Sequence, residues 1–232
     1  MKRILTLSTI AVVTLFLSGC APSRAVLTLS DLDPKLAFLE EHGIYVALID
    51  YPVTGIEKYN EFFKSSALIY YTAELAGSMV NDATANLKRF ARDRLAGAVM
   101  DENIRELIGD TPPDQLSVEQ SLAVMRMEQE RDRITQHEVE YFATTIGELG
   151  IASFALVRGI KETPDLIRSG GALLTNVKDD FTIFGIPRFW EIRPVVEGLN
   201  ESIDRLKHVR DKAPVIVEDI AVLISGIKEL SG

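Results

Sequence analysis

From Thr54 to Ile108 the chain keeps one helical hydrophobic period, which demands a long helix with neighbours to cover it. The apolar residues recur at steps of three and four, as in an amphipathic α-helix. They are Ile56, Tyr59, Phe63, Ala67, Tyr70, Ala73, Ala76, Val80, Ala83, Leu87 and Phe90. Unbroken, this helix would be about 80 Å long at 1.5 Å per residue. We expect a kink or a break near Gly77 or Gly97, because glycine is costly inside a helix.

Other segments of the N-terminal two thirds also predict helices. A short helix begins at Pro34 and ends at Gly43. Ser117-Val118-Glu119-Gln120 has the spacing of a capping box and begins a helix whose apolar face continues through residues 139–160. Residues 44–49 are apolar, and their pattern leaves open a buried extended segment or one helical turn.

Helix-breaking residues divide the C-terminal third. Thr163-Pro164-Asp165 is predicted to begin another helix, which Gly170-Gly171 interrupts. Two further helices have apolar faces within residues 192–206 and 216–230, and Pro214 begins the second. The sequence therefore predicts an all-α fold, an elongated helical bundle with long amphipathic helices, about five to six in number. We assign residues 32–232 to this single domain.

Two segments depart from the amphipathic pattern. Residues 126–140 are strongly charged, so we expect them to be less enclosed and to project from the body. Residues 181–190 are strongly apolar and lack a helical period. This second segment either plugs an end of the bundle or forms a contact surface for a partner or a bilayer.

The N-terminus carries an export signal. Lys2 and Arg3 precede an uncharged apolar stretch over residues 4–17, which is too short to span a bilayer as a helix. The stretch ends in Leu17-Ser18-Gly19-Cys20, which resembles the lipobox of bacterial lipoproteins. This resemblance implies that residues 1–19 are removed as a signal peptide and that Cys20 receives the lipid.

The lipobox also implies a location. Residues 20–31 are predicted to tether the domain to the membrane through the acyl chains on Cys20. Ala21 stands where an aspartate would retain a Gram-negative lipoprotein in the inner membrane. We therefore expect an outer-membrane lipoprotein that faces the periplasm.

Composition excludes several classes of function. Cys20 is the single cysteine, so lipidation leaves no thiol for a disulfide, for thiolate catalysis or for a zinc site. The formal net charge is −9, which argues against nucleic-acid binding and against electrostatic attraction to anionic lipid.

Three groups of residues invite a chemical interpretation, and none matches a known pattern. His137-Glu138-Val139-Glu140 lacks the Glu-x-x-His of di-iron bundles, and Tyr141 breaks the zinc-protease motif, so a solvated charged face is predicted. Asp204 and His208 stand one helical turn apart, a spacing typical of surface electrostatics. His42 is expected near a helix C-terminus. We predict no catalytic, cofactor-binding or metal residue and no cofactor; the lipidation site Cys20 is the one site assigned.

These observations favour a lipid-anchored envelope protein that acts as a non-enzymatic scaffold or adaptor for another envelope protein. One alternative is a membrane-perturbing or pore-forming-like protein, for which residues 150–160 and 170–190 would supply the apolar segments. Another is a bundle that binds a metal or a ligand between its helices.

Overall fold

The computed structural model describes residues 23–41, 43, 46–97, 102–131, 133–183 and 186–231. Residues 1–19, predicted to be a signal peptide, the predicted lipidation site Cys20 and His42 lie outside these residues, and so do the predictions made for them. Helices dominate the described part, and its strands are short. The all-α prediction is therefore confirmed.

The described residues form six α-helices, one turn of 3-10 helix at Leu29–Asp31, and four strands that pair as two hairpin-like ribbons. The helices are α1 (Pro34–Glu41), α2 (Glu57–Gly97), α3 (Glu102–Ile108), α4 (Val118–Glu130), α5 (Gln136–Asp180) and α6 (Phe189–Ser231). The strands are β1 (Ser23–Val26), β2 (Asp50–Val53), β3 (Thr182–Ile183) and β4 (Ile186–Pro187).

Three long helices form the body of the protein. α2, α5 and α6 contain 41, 45 and 43 residues, so each is about 60 to 70 Å long. The β3–β4 ribbon connects α5 to α6, which pack together along their length, and α2 packs against both. α4 covers parts of α2 and α6, whereas α1 packs on α5. This arrangement confirms the elongated bundle of long amphipathic helices.

The two predicted glycines lie at different places in α2. α2 ends at Gly97 and α3 begins at Glu102. Residues 98–101 lie outside the described residues, so the predicted break near Gly97 stays a prediction. Gly77 lies inside α2, so the helix does not end there. A Cβ atom on Gly77 would be 3.5 Å from the Cδ1 atom of Ile216, an ordinary van der Waals contact with α6.

The helix predicted from Ser117 through residue 160 is two helices. α4 begins with the predicted capping box, in which the Ser117 hydroxyl accepts from the Gln120 amide at 3.1 Å. It ends at Glu130, and Thr135 starts α5 with a second capping box. There the Glu138 carboxylate accepts from the Thr135 amide at 2.7 Å. The prediction of one helix was wrong because this second local start signal, Thr-x-x-Glu, ends the continuity of the period.

Three predicted interruptions are absent from the described helices. α5 continues through Pro164 and Gly170-Gly171, and α6 continues through Pro214. A proline inside a helix costs about 3 kcal/mol. However, α5 buries Leu156 and Leu173 on either side of its proline. Burial of apolar faces on both sides of the proline outweighs the local penalty, so the predicted helix starts at Thr163 and Pro214 were wrong.

The predicted tether is partly folded onto the bundle. β1 pairs antiparallel with β2, with Ser23 opposite Val53 and Val26 opposite Asp50. Leu27 follows β1 and is fully buried. Pairing of the backbone and burial of this leucine hold Ser23–Asp31 against the domain, so the folded body begins earlier than residue 32. Residues 46–49 are without helical structure and lead into β2.

Candidate functional site

The strongly charged stretch over residues 126–140 is largely exposed or half-buried, but two of its carboxylates are buried where α2, α4 and α5 meet. Glu138 is 6% exposed and Glu128 is 3% exposed. The Arg94 guanidinium contacts the Glu138 carboxylate, and Arg131 lies 3.4 Å from Glu128. We call these four residues the charged end of the bundle. The prediction of a solvated face was wrong for Glu138, because an ion pair across two helices compensates its burial.

The Glu138 carboxylate is ionised and fully engaged. Burial alone would raise the pKa of this carboxyl group, but Arg94 and the amide and hydroxyl of Thr135 together lower it below its ordinary value. The hydroxyl of Thr135 lies 2.7 Å from the carboxylate. Glu140 bonds to Gln136 on the exposed face instead, at 3.0 Å. Among the residues described, no group of three or more metal-ligating side chains comes together.

The structure separates Asp204 from His208. Asp204 accepts from the Lys207 ammonium at 2.8 Å, whereas the Nε2 atom of His208 lies 3.6 Å from the Glu74 carboxylate on α2. The imidazole also packs edge-on against the ring of Tyr70, with 5.9 Å between centroids. His208 therefore faces α2 rather than the aspartate one turn before it.

The apolar segment over residues 181–190 is divided between core and surface. Phe181 is buried, and its ring packs edge-on against Tyr59 at 5.3 Å between centroids. By contrast, Phe189 is 66% exposed and Trp190 is 50% exposed, and Ile183 is also exposed. We call Ile183, Phe189 and Trp190 the hairpin end. Both interpretations of the segment thus hold in part: one aromatic plugs the bundle, and three apolar side chains form a surface.

An apolar crevice of about 290 Å³ opens between α1, α2 and α5. The exposed ring of Phe154 stands at its mouth and is 64% exposed. We call this cavity the Phe154 crevice. Its apolar lining includes Leu32, Leu36, Leu68, Ile69, Ile151 and Ala155.

Charges of both signs surround the Phe154 crevice. The Lys35 ammonium lies 5.1 Å from the centroid of the Phe154 ring, and the Arg158 guanidinium donates to Glu162 at 3.1 Å. Asp31 contacts Lys64, and this ammonium, with the amide and hydroxyl of Thr28, lowers the pKa of the Asp31 carboxyl to about 2. The edge of the crevice is therefore ionised at neutral pH.

The size and lining of the Phe154 crevice suit apolar side chains better than a cofactor. Ligand pockets enclose about 300 to 1,000 Å³ and contain a few convergent polar groups. This crevice is at the lower limit of that range, and the one hydroxyl in its wall, that of Thr72, already donates to the Leu68 carbonyl at 2.9 Å. An amphipathic segment with one or two apolar anchors would match both its apolar wall and its charged edge.

α5 is long and apolar enough to cross a membrane by length and composition alone, with a window of mean hydropathy 1.2 of which 28% is buried. Core helices of soluble proteins have the same composition. Ile146, Ile151 and Ala155 of α5 are partly buried and pack against the core, and Phe154 is its one large apolar side chain that is exposed. The apolar surface that α5 leaves open is therefore centred on Phe154.

Sequence reasoning missed the Phe154 crevice because its walls come from three helices that are distant in the chain. The Thr-x-x-Glu signal at Thr135 was readable, and it could have indicated the start of α5 next to the charged end. The described residues form an all-α bundle with a crevice between α1, α2 and α5. No protein-family model, curated protein or solved structure matches this chain.

Proposed function

We propose that this chain is a lipid-anchored protein of the bacterial envelope, and that its helical body is a non-enzymatic scaffold or adaptor. In this function the Phe154 crevice receives an apolar segment of another envelope protein. The observation that carries the proposal is the 64% exposed ring of Phe154 at the mouth of an apolar crevice. A surface aromatic beside a cavity is typical of the anchor points of protein interfaces.

The lipobox supports the anchoring part of the proposal. Leu17-Ser18-Gly19-Cys20 places a cysteine three residues before Ser23, the first residue of β1. Acyl chains on Cys20 would hold the domain directly at the bilayer surface. Ala21 favours the outer membrane, so the body would face the periplasm of a Gram-negative cell.

The crevice supports the interaction part. Its edge contains paired charges of both signs, and its wall is apolar, so a partner helix with apolar anchors and a polar rim would complement it. The volume of about 290 Å³ accommodates one or two such anchors. Ile151 and Ala155 of α5 line the crevice next to Phe154 and are partly buried, so the contact would be centred on Phe154.

Photo-crosslinking in intact cells tests this function. A photoreactive amino acid replaces Phe154, which is 64% exposed, and the matched control places it at Val215 on α6, which is 55% exposed. We expect a discrete protein adduct from position 154, little or none from position 215, and loss of the adduct when Cys20→Ala removes the anchor. Equal adducts from both positions, or an adduct that persists without the anchor, would contradict a membrane-docked adaptor.

A membrane-perturbing function is the second candidate, and the length of α5 and the mean hydropathy of 1.2 over one of its windows favour it. If α5 entered the bilayer, the protein would release a dye from liposomes at micromolar concentration. A Phe154→Glu variant would then be less active, because a charge on the entering surface is costly in hydrocarbon. Absence of leakage by the wild-type protein removes this candidate and leaves the adaptor.

A further inference from the structure

The hairpin end lies where α5 finishes and α6 begins. The Tyr59 hydroxyl donates to the Asp180 carboxylate at 2.7 Å. The start of α2 therefore lies at the same end of the bundle as the end of α5. Arg188 donates its amide to the Phe181 carbonyl at 3.0 Å and closes the connection. Three apolar side chains of this connection therefore point away from the core at one end of a long bundle.

β1 leads towards the same end of the bundle. The Arg205 guanidinium donates to the Asp50 carbonyl at 3.4 Å, and a Cβ atom on Gly198 would be 2.7 Å from Pro52. β2 therefore runs along α6 towards Phe189. β1 is antiparallel to β2, so Ser23 is the residue of β1 that lies nearest this end of the bundle.

The part of α6 between the level of Ser23 and Phe189 is short enough for three residues to span. Pro52 lies at the level of Gly198, which is nine residues from Phe189 and thus about 13 Å along the helix. Ser23 is paired with Val53, one residue closer to that end. Three extended residues reach about 10 Å. Cys20 can therefore reach the level of the hairpin end.

We propose that the hairpin end rests in the interface of the bilayer that holds the acyl chains of Cys20. Tryptophan and phenylalanine favour this region because their rings are apolar and the indole N–H can still meet polar headgroups. Together, the acyl chains and the three side chains give the bundle two attachments at one end. This inference rests on the lipid anchor of the proposed function.

Apolar burial rather than charge drives this contact. Three ion pairs lie around the hairpin end: Lys58 with Asp180 at 2.6 Å, Arg188 with Glu191 at 2.8 Å, and Arg193 with Glu197 at 2.9 Å. Lys178 and Asp179 beside them carry opposite charges. No excess of positive charge arises from these pairs, so the contact does not require anionic lipid.

The contact sets the height of the Phe154 crevice above the membrane. Residue 154 lies 26 residues before the end of α5, which places the crevice about 40 Å from the hairpin end. An upright bundle would therefore present the crevice to a partner in the periplasm rather than to a lipid.

Fluorescence of the single tryptophan tests the proposal without a label. The mature acylated protein is reconstituted into vesicles of phosphatidylcholine, with and without lipid brominated near the headgroup end of its chains. We expect Trp190 to emit at shorter wavelength in vesicles than in the unacylated Cys20→Ala protein, and brominated lipid to quench it about twofold. Replacing a quarter of the lipid by phosphatidylglycerol should leave the quenching unchanged.

A relocated tryptophan is the matched control. Trp190→Phe combined with Val222→Trp moves the probe to an exposed position 32 residues further along α6, about 48 Å away. This probe should remain accessible to iodide and escape the brominated lipid. Quenching of both probes would show a bundle that lies flat on the membrane and would overturn the upright orientation.

The remaining outcomes separate the two proposals. Mass spectrometry of the N-terminal peptide reports whether Cys20 is acylated. An unmodified Cys20 overturns the proposed anchor, and this inference with it. An acylated chain whose Trp190 stays accessible to iodide and unquenched by brominated lipid overturns this inference alone. Quenching that depends on phosphatidylglycerol would overturn the apolar nature of the contact.

Discussion

The two ends of the bundle differ in which side chains they bury. The charged end buries Glu128 and Glu138, whereas the hairpin end leaves Phe189 and Trp190 in solvent. At the charged end, each buried carboxylate has a guanidinium partner, and Glu138 also accepts bonds from Thr135. At the hairpin end, the chain turns between two helices, and no neighbouring element in the described structure covers these rings. Burial therefore follows the availability of partners rather than the hydropathy of the segment.

This contrast assigns different tasks to the two ends. Paired charges between α2, α4 and α5 contribute to the stability of the fold, provided that both partners are present. Exposed aromatic side chains contribute little to the folded state and retain their apolar surface for an external contact. The variants below test this division, beginning with the largest expected change.

Removing the cation of the charged end should be the most damaging change. Arg94→Met leaves the Glu138 carboxylate buried without its ion-pair partner, and we expect the free energy of unfolding to fall by roughly 3 kcal/mol. Urea unfolding followed by circular dichroism measures this loss. The control is Arg158→Met, which removes an exposed i,i+4 pair with Glu162 and should change stability by less than about 0.5 kcal/mol. Equal losses would show that burial of the first pair has no special importance.

Substitution of two adjacent glycines in α5 tests how tightly the bundle is packed near the hairpin end. A Cβ atom on Gly170 would be 2.7 Å from the Phe62 ring and 2.8 Å from Ile203, whereas Gly171 has open space. Gly170→Ala should lower the free energy of unfolding by about 1 to 3 kcal/mol through overpacking. Gly171→Ala should raise it by up to about 1 kcal/mol, because alanine favours the helix. Thermal unfolding of both variants measures these changes in stability. A Gly170→Ala variant as stable as the wild type would indicate that the body is loosely packed at this position.

Acid should weaken the contribution of Glu138. The pKa of this carboxyl is lowered in the folded protein relative to its ordinary value of 4.5. Its contribution to stability is therefore present above about pH 4.5 and is lost as the pH falls through the lowered folded-state pKa. Glu138→Gln should be less stable than the wild type by about 1 to 2 kcal/mol at pH 7, and the difference should shrink as the pH falls below 4.5.

Urea unfolding of Glu138→Gln and the wild type at a series of pH values measures this difference. Glutamine keeps the reciprocal bonds of the capping box, so helix initiation is preserved. Glu162→Gln provides the control for an exposed carboxylate, and its difference from the wild type should be small at every pH. A difference for Glu138→Gln that is independent of pH would assign the effect to packing rather than to charge.

The smallest effect is expected at the hairpin end. Phe189→Ser combined with Trp190→Ser should change the free energy of unfolding of the protein in solution by no more than about 0.5 kcal/mol, because both rings are largely exposed. Chemical unfolding in the absence of lipid measures this change in the free energy of unfolding. A loss comparable to that of Arg94→Met would erase the contrast between the two ends and indicate that the aromatic rings stabilise the turn.

Local sequence signals determined the helical class and several helix ends. The three-and-four period of Ile56, Tyr59 and Phe63 predicts α2, because helical geometry alone places these side chains on one face. The Ser117 capping box predicts the start of α4 for a similar reason, since its bonds span only three residues. The predicted break near Gly97 stays a prediction, because residues 98–101 lie outside the described residues.

Only the tertiary structure decided which helix-breaking residues interrupt a helix and which polar residues are buried. A proline costs about 3 kcal/mol locally, whereas packing summed over the 45 residues of α5 carries the helix through Pro164. The partner of Glu138 is Arg94, 44 residues earlier in the chain, and the walls of the Phe154 crevice come from three helices. These outcomes depend on contacts between distant segments. Local periodicity and spacing carry no information about which distant segments will meet.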